Sequence, residues 1–512
     1  MIESVDPRSG RVLAEVAEVT SGPELDALCD QALGAARELG AIGRRGRSAM
    51  LRSMAASLEE RREALIGIAD QETALGPQRL SGELTRTIYQ LGLFADVVDE
   101  GSYLEATIDH PAATPMGPRP DLRRILRPLG PVAVFGASNF PFAFSVPGGD
   151  TASALAAGCP VLAKVHEAHP ATSVMAGDAL VAGARAVDVS PCVLSLVFGQ
   201  EAGAALVQHP IVQAAGFTGS LAAGKVLHGL ASSRPSPIPF YGELGALNTV
   251  VVCERAAGSR GAEIAKGLAG SFTLGVGQFC TKPGLVLVPA TEAGRALVAA
   301  LAGAVESTAA GVMLSARTAS GFARGVDALR RVPGVAVLAE GTAPAATDGW
   351  WGRPLLLGAG AEALRGIVTE ECFGPVLVVV EYDDPQHLAL LLGRLGPALT
   401  ATVHADAGDE AEAQILLGQF AGQVGRVVWN GYPTGVAVTW AMHHGGPYPA
   451  TVGSVHTSVG PTAVRRWLRP VCFQDVPEAL LPPELREAPV GGDVVPRRVD
   501  GRLVVPGDSG GQ

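Results

Sequence analysis

The stretch PVAVFGASNFPFAFSVPGGDTASALAAGCPVLAKV, residues 131–165, contains two uniformly apolar runs with an alanine-rich segment between them. The runs PVAVFG (131–136) and PVLAKV (160–165) are predicted strands, and the segment between them contains a predicted helix. Similar apolar runs follow at CVLSLVF (192–198), IVQAAGFTG (211–219) and PIPFYGEL (237–244). Uniformly apolar strands that alternate with helices predict a parallel sheet covered on both faces, and therefore an α/β fold.

Other segments extend this pattern in both directions. Residues 1–20 predict a short hairpin, and residues 23–100 have the three-and-four spacing of apolar residues that is typical of helices. From residue 245 the predicted strands are NTVVVC, GLVLVPA, RGIVTEECFGPVLVVVEY and ALTATVHA, and the predicted helices are GAEIAKGLAGSFTL and residues 291–310. Residues 426–475 are predicted as glycine- and proline-rich connections, and GRLVV is a predicted terminal strand.

The 512-residue chain carries a formal net charge of −11. A nucleic-acid-binding protein would show a basic face or stripe, so we expect no nucleic-acid partner. The first residues, MIESVDPRSG, lack the features of a signal peptide, and no long apolar stretch is free of charge. We therefore expect a soluble, cytoplasmic protein with no membrane partner.

The seven cysteines are widely spaced and form no C-x-x-C pair. This spacing disfavours a zinc site and a disulfide framework. His443 and His444 are adjacent, but no carboxylate or thiol lies at ligand spacing from them in the sequence. We therefore expect no metal.

Three candidate catalytic residues stand at predicted strand ends or loops. Asn139 follows the first strand of the repeat, Glu243 ends the fifth, and Cys280 lies in the loop GVGQFCTKPG (275–284). Taken singly, each also has an ordinary interpretation, as a turn asparagine, a solvated carboxylate and a small buried residue. Together, an amide, a carboxylate and a thiol are the groups that acyl chemistry through a thioester requires.

Gly219 and Ser220 close a predicted strand and begin a predicted helix. The free backbone N–H groups at such a helix start can bind a phosphate. The same pair is also a common helix cap, so both interpretations stay open.

Five ordered motifs resemble the aldehyde dehydrogenase superfamily: ASNFPFAFSVPGGDTASALAAGCPVLAK, FTGS, ELG, GQFC and EECFGPV. The resemblance extends to about residue 475. Strings such as GQFCTKPGLV and HHGGPYPAT resemble one branch in particular, the α-ketoglutaric semialdehyde (2,5-dioxovalerate) dehydrogenases, and a neighbouring branch oxidises long-chain aldehydes.

The resemblance implies two Rossmann-like parallel-sheet domains and a small oligomerisation arm. It divides the chain into the start of the cofactor-binding domain (1–104), the first part of the arm (105–130), the main cofactor-binding segment (131–244), the catalytic domain (245–435) and a C-terminal return (436–512). The return segment re-enters the cofactor domain, completes the arm and ends in a tail. Relatives are dimers or tetramers, so we expect a homodimer or homotetramer.

The resemblance also assigns roles to individual residues. Cys280 matches the nucleophile, Asn139 the oxyanion-binding amide and Glu243 the general base for deacylation. The remaining matches concern the cofactor, NAD or NADP. They are Lys164 near the adenosine ribose, Gly219 and Ser220 near the pyrophosphate, Glu371 at the nicotinamide ribose and Phe373 beside it. Phe373 also fits plain core packing.

Glu167 bears on the choice of cofactor. A glutamate at this position can accept hydrogen bonds from ribose hydroxyls, and its charge repels a 2′-phosphate. The branch commonly uses NADP and has an uncharged residue there, so Glu167 favours NAD.

The expected reaction is the NAD(P)-dependent oxidation of an aldehyde, α-ketoglutaric semialdehyde, to its acid. One alternative is a fatty or other hydrophobic aldehyde, and another is a catalytically silent structural or binding subunit. Arg119, Arg123 and Arg124 are candidates for the substrate carboxylate by charge alone, and a solvated face or a subunit contact explains them as well.

Overall fold

The computed structural model describes residues 1–488 and 494–506, so parts of the predicted C-terminal tail, 489–493 and 507–512, lie outside the described residues. The N-terminal hairpin pairs Ile2–Asp6 with Arg11–Ala17. Ser21 and Glu24 then form a capping box at the start of the first helix, which satisfies two backbone N–H groups. The predicted helical segment contains four helices: Gly22–Ala41, Gly43–Glu60, Arg62–Thr73 and Pro77–Glu100.

The predicted repeat forms a six-stranded sheet, which confirms all five strands at slightly shorter lengths. In spatial order the strands are Thr451–Val452, Phe240–Glu243, Ala214–Thr218, Val132–Phe135, Val161–Lys164 and Leu194–Val197. The strand at 451–452 is antiparallel to its neighbour, and the other five are parallel. The connecting helices are Gly149–Ala157, Pro170–Arg185, Gln200–Gln208 and Leu221–Ser232.

Alternate residues of these strands enter different hydrophobic clusters. Val132 and Val134 pack into one, and Ala133 and Phe135 into another. This is the two-residue period of a strand with both faces buried. The predicted parallel sheet with covered faces is therefore confirmed.

The second α/β segment forms a seven-stranded sheet. Its strands, in spatial order, are Val335–Glu340, Leu355–Ala359, Val376–Tyr382, Pro283–Pro289, Asn248–Val252, Ala398–His404 and Val424–Trp429. All neighbours are parallel except the edge strand at 335–340. The associated helices are Glu254–Thr273, Glu292–Glu306, Ala316–Arg330, Pro385–Leu392 and Glu410–Ala421.

Two predictions in this half of the chain are partly wrong. In RGIVTEECFGPVLVVVEY, only Val376–Tyr382 is a strand, because the first half forms a short 3-10 turn and a loop. Gly374 has a φ of 141° and Pro375 follows it, so neither residue suits a regular strand at this point. The region 426–475, predicted as connections, includes most of one strand of the second sheet and the strand Leu468–Gln474.

A third, five-stranded sheet joins distant parts of the chain. Its strands, in spatial order, are Leu468–Gln474, Leu122–Pro128, Thr107–Asp109, Arg497–Val499 and Arg502–Val504. The last of these confirms the predicted strand GRLVV. Two small ribbons pair Ala112–Thr114 with Gly117–Arg119 and Gly311–Val312 with Trp351–Gly352. The 3-10 turns are Ser102–Leu104, Pro191–Val193, Leu274–Gly277, Ala361–Ala363, Gly366–Thr369, Pro461–Trp467, Glu478–Leu480 and Pro483–Leu485.

Within the described ranges, none of the helices combines the length and the apolar character needed to span a membrane. The carboxyl ends of the parallel strands in the first sheet meet at one edge, where the predicted site loops emerge.

Candidate active site

The loop that carries Cys280 has an unusual backbone. Gly275, Val276 and Gly277 have φ angles of 57°, 59° and 66°. A β-branched residue rarely occupies this left-handed region, so Val276 is strained. A Cβ added to Gly277 would clash with the backbone of Gly374, so only glycine permits this close approach.

Asn248, at the start of a central strand of the second sheet, holds this loop in place. Its amide Nδ2 donates to the carbonyl oxygens of Cys280 and Lys282, at 2.8 and 3.0 Å. Its Oδ1 accepts a hydrogen bond of 3.0 Å from the backbone N–H of Thr400. The side chain is buried, so these bonds satisfy groups that water does not reach.

Asn139 lies in the loop after Val132–Phe135 and contacts the Cys280 loop directly. Its Nδ2 donates to the carbonyl oxygen of Gln278 at 2.8 Å. The neighbouring ring of Phe140 meets Phe279 edge-on, with 5.2 Å between centroids. The predicted amide is therefore hydrogen-bonded to the backbone of Gln278, which precedes the predicted thiol residue Cys280 by two positions in the sequence.

Glu243 ends its strand, as predicted, and is buried. Its Oε2 accepts a hydrogen bond of 3.1 Å from Thr451 Oγ1. Burial raises the pKa of Glu243 to about 8, and the positive charge of Arg466 opposes the shift. A carboxyl group with such a pKa can take up and release a proton near neutral pH.

Glu371 reaches the same region from the loop before Val376–Tyr382. Burial raises its pKa to about 7, against the charge of Lys282, whose Nζ donates to the carbonyl oxygen of Val376 at 2.9 Å. A Cβ added to Gly245 would clash with the Glu371 carboxylate. The ELG and EECFGPV motifs are thus in contact, although they are far apart in sequence.

The thiol of Cys280 is protonated in this environment. Burial raises its pKa to about 12, and the negative charges of Glu371 and Glu243 add to the shift, whereas Arg86 opposes it. These charges act on the thiol because the groups are close together.

His444 is a neighbour of Cys280 that the sequence analysis missed. Its Nε2 lies 3.6 Å from the Cys280 Sγ. The HHGG segment is a loop, and His444 is buried in it, where burial lowers its pKa to about 3 and keeps the imidazole neutral. Across the described ranges 1–488 and 494–506, no group of three or more metal-ligating side chains is found.

Four of the predicted cofactor residues, Lys164, Glu167, Gly219 and Ser220, lie at the carboxyl ends of two strands of the first sheet, and the other two, Glu371 and Phe373, lie in a loop of the second α/β segment. Lys164 ends its strand, and its Nζ is 3.7 Å from the carboxylate of Glu167, which also accepts from Gln200 Nε2 at 3.2 Å. Burial lowers the pKa of Lys164, and Glu167 opposes this shift. Phe373 is half-buried in the loop beside Glu371.

Gly219 and Ser220 follow a strand two positions away in the sheet. The Gly219 N–H donates to the carbonyl oxygen of Glu243, which links this turn to the catalytic candidates. Ser220 caps the helix Leu221–Ser232 by accepting from the N–H of Ala223. The start of this helix offers further N–H groups to an anion.

A cavity of about 220 Å³ leads to Cys280. It is lined by Phe140, Phe144 and Phe279 and by two arginines, Arg79 and Arg86, that the sequence analysis missed. The two arginines are seven residues apart on the helix Pro77–Glu100. Because seven residues are close to two helical turns, this spacing puts both side chains on the same face of the helix.

The arginines suggested for the substrate carboxylate lie elsewhere. Arg119 pairs with Asp109 and Asp500. Arg123 pairs with Asp121, Glu478 and Glu487, and Arg124 with Glu105. These ion pairs belong to the five-stranded sheet and its surroundings, and none of the three arginines lines the cavity at Cys280.

Residues 1–469 match the family model described as the aldehyde dehydrogenase family. The chain belongs to this family. Similar curated relatives include the α-ketoglutaric semialdehyde dehydrogenase 2 of Azospirillum brasilense, 45% identical over 98% of this chain and 96% of the relative. The α-ketoglutaric semialdehyde dehydrogenase of Acinetobacter baylyi is 42% identical over 86% of this chain and 84% of that protein.

Solved structures agree on the fold of this aldehyde dehydrogenase. A variant of aldehyde dehydrogenase C from Pseudomonas syringae, in complex with NAD⁺ and octanal, superimposes with a TM-score of 0.78 at 19% identity. The match covers 92% of this chain and 93% of the other. The predicted aldehyde dehydrogenase fold is therefore confirmed.

Replacing Asn248 with leucine should lower the free energy of unfolding by about 3 kcal/mol, because the substitution leaves two carbonyls and one N–H buried without partners. Urea titration measures the change. Gln414→Leu, at an exposed amide on the helix Glu410–Ala421, is the matched control and should change stability by less than about 0.5 kcal/mol. Equal effects of the two substitutions would contradict the structural role of Asn248.

Proposed function

We propose that this chain oxidises an aldehyde to a carboxylic acid through a thioester on Cys280, with NAD(P) as the hydride acceptor. The observation that carries the proposal is the arrangement near Cys280, within a fold shared with aldehyde dehydrogenases: Asn139 is hydrogen-bonded to Gln278 in the Cys280 loop, and the charge of Glu243 acts on the thiol. The α-ketoglutaric semialdehyde dehydrogenases at 42% and 45% identity support the same reaction.

Each residue has a distinct task in this proposal. The Cys280 sulfur attacks the aldehyde carbon, and the Asn139 amide and the Cys280 backbone N–H stabilise the oxyanion. Because the pKa of the thiol is about 12, its proton must leave before or during attack. Glu243, in its carboxylate form, can accept a proton from the water that hydrolyses the thioester.

The residues present fit a dinucleotide. Lys164 is a partly desolvated cation, the helix start at Ser220 offers N–H groups for a pyrophosphate, and Glu371 is a partly buried carboxylate beside the Cys280 loop. Glu371 would hold the nicotinamide ribose, and Phe373 would lie beside it. When bound, the nicotinamide supplies the hydride acceptor.

We further propose that NAD is preferred over NADP. Glu167 is exposed and held near Lys164, with Gln200 as a second partner. It can accept from ribose hydroxyls and would repel a 2′-phosphate.

The proposed substrate is α-ketoglutaric semialdehyde, with 2-oxoglutarate as the product. A hydrophobic aldehyde is a second candidate, because three phenylalanine rings line the cavity. We also propose the five-part domain division given above and a homodimer or homotetramer in which the arm of residues 105–130 and the C-terminal return contribute to the interface.

Cys280→Ala should abolish the reduction of NAD or NADP by α-ketoglutaric semialdehyde and octanal, because no other group forms the thioester. Absorbance of the reduced cofactor measures the reaction, and fluorescence titration checks that the cofactor still binds. Cys472→Ala, at an exposed cysteine, is the control and should keep wild-type activity. Substantial turnover by Cys280→Ala, or no turnover of any aldehyde by the wild type, would contradict the proposal.

Steady-state turnover that is limited by deacylation should rise with pH through about 8, since the carboxylate form of Glu243 is the base. Glu243→Gln should lose this dependence and turn over about 10²- to 10⁴-fold more slowly. Rapid mixing should still show one burst of reduced cofactor per site, because thioester formation precedes deacylation. A variant with wild-type steady-state turnover would exclude Glu243 as the base.

Glu167→Thr should raise the ratio of NADP to NAD efficiency by about tenfold, because it removes a charge that repels the 2′-phosphate. Values of kcat/KM for both cofactors give the ratio. Glu306→Thr removes an exposed carboxylate from a helix of the other α/β segment and should leave the ratio unchanged. If the two variants give the same ratio, Glu167 does not determine cofactor preference.

A further inference from the structure

The cavity at Cys280 contains two guanidinium groups that lack part of their hydrogen bonding. Arg79 and Arg86 are on the helix Pro77–Glu100 and line the cavity together with Cys280. The Nη1 atom of Arg79 and the Nε and Nη2 atoms of Arg86 are buried without a hydrogen-bond partner among the described residues. Buried donors without partners are rare. Their presence in a cavity indicates that a ligand supplies the acceptor.

The charges around the cavity are unbalanced. Glu83 lies between the two arginines on the same helix and is the acidic group whose charge acts on both. Its Oε1 is already used by the backbone N–H groups of Phe142 and Ala143, at 2.8 and 3.0 Å. Guanidinium groups stay charged in proteins. Two cations therefore lie beside one carboxylate, and one oxygen of that carboxylate is already hydrogen-bonded to backbone N–H groups.

Aromatic rings hold the two guanidinium groups in position. The Arg79 Cζ lies 4.8 Å from the centroid of Phe279 and 5.2 Å from that of Phe140. The Arg86 Cζ lies 5.2 Å from the centroid of Phe144. A guanidinium over a ring is attracted by the π-face, and it keeps its in-plane N–H groups available for a carboxylate.

The two arginines differ in how free they are. Arg79 already donates from Nη2 to the Asn139 carbonyl oxygen at 2.7 Å, so one edge of its guanidinium group holds the loop that carries Asn139. Arg86 has two buried nitrogens that find no partner in the described part of the chain, and its charge acts on Cys280. Arg86 is therefore the better placed of the two to receive an anionic group from the substrate.

We propose that Arg86, assisted by Arg79, binds the distal carboxylate of the substrate while its aldehyde carbon lies at Cys280. The substrate class is then a short aldehyde with a carboxylate at its other end. This inference rests on the proposed function. Size does not exclude a fatty aldehyde, since octanal and α-ketoglutaric semialdehyde have the same number of non-hydrogen atoms. Charge selects between them, because an alkyl chain would leave the guanidinium donors buried and unpaired.

The test compares Arg86→Met and Arg86→Lys with the wild type on two substrates, α-ketoglutaric semialdehyde and pentanal. Arg86→Met should lower kcat/KM for the semialdehyde by roughly 100-fold, mostly through KM, and should lower kcat/KM for pentanal, which has no carboxylate, far less. Arg86→Lys keeps the charge but loses the two-pronged donor, so its kcat/KM for the semialdehyde should lie between those of the wild type and Arg86→Met. Arg295→Met, at an exposed arginine on another helix, should leave both substrates unaffected.

A second measurement uses the wild-type protein and needs no variant to fold. Glutarate should slow the alkylation of Cys280 by iodoacetamide, and glutaramide, which has the same shape without charge, should not. Equal protection by the two compounds, or none by either, would overturn the proposal.

The outcomes also separate the carboxylate site from the proposed function. An equal loss on both substrates in Arg86→Met, with the semialdehyde still oxidised by the wild type, would reject the carboxylate site and leave the function standing. A wild type that oxidises no aldehyde would reject the function, and the glutarate measurement would still decide whether the cavity binds a carboxylate.

Discussion

The buried amide of Asn248 is the contact on which the site geometry depends. It binds the carbonyl oxygens of Cys280 and Lys282 and is itself fixed by the backbone of Thr400 on the adjacent strand. The thiol loop is thereby attached to the rigid centre of the seven-stranded sheet. Once that loop is fixed, the carbonyl of Gln278 accepts a hydrogen bond from Asn139, which lies in a loop after a strand of the first sheet. The cavity at Cys280 is lined by residues from both α/β segments.

Burial dominates the electrostatics around the Cys280 thiol. It raises the pKa values of Glu243, Glu371 and Cys280 to about 8, 7 and 12, and their negative charges reinforce one another at the thiol. The charge of Lys282 opposes the pKa shift of Glu371, and the charge of Arg86 opposes that of Cys280. The protein therefore keeps a protonated thiol close to carboxyl groups that titrate near neutral pH.

Much of the fold follows from local pattern. The five apolar runs between residues 131 and 244 predict the parallel strands of the first sheet, because buried strands need apolar residues on both faces. The strand at Val424–Trp429 was not predicted, because its residues are only partly buried and its run is short. The loop that carries Glu371 was predicted as strand, because its apolar and β-branched residues do not reveal the turn at Gly374.

The α/β fold class, the family resemblance and the amide, carboxylate and thiol candidates can all be inferred from the sequence alone. Which side chains surround these candidates depends on how the chain folds. His444 and Asn248 reach the Cys280 loop from distant segments, and no local pattern encodes such contacts. The same holds for the arginines: Arg119, Arg123 and Arg124 form ion pairs, whereas Arg79 and Arg86 line the cavity with donors that no other residue in the described ranges uses. Charge is visible in a sequence, but whether a charge is already paired depends on the packing of the whole chain.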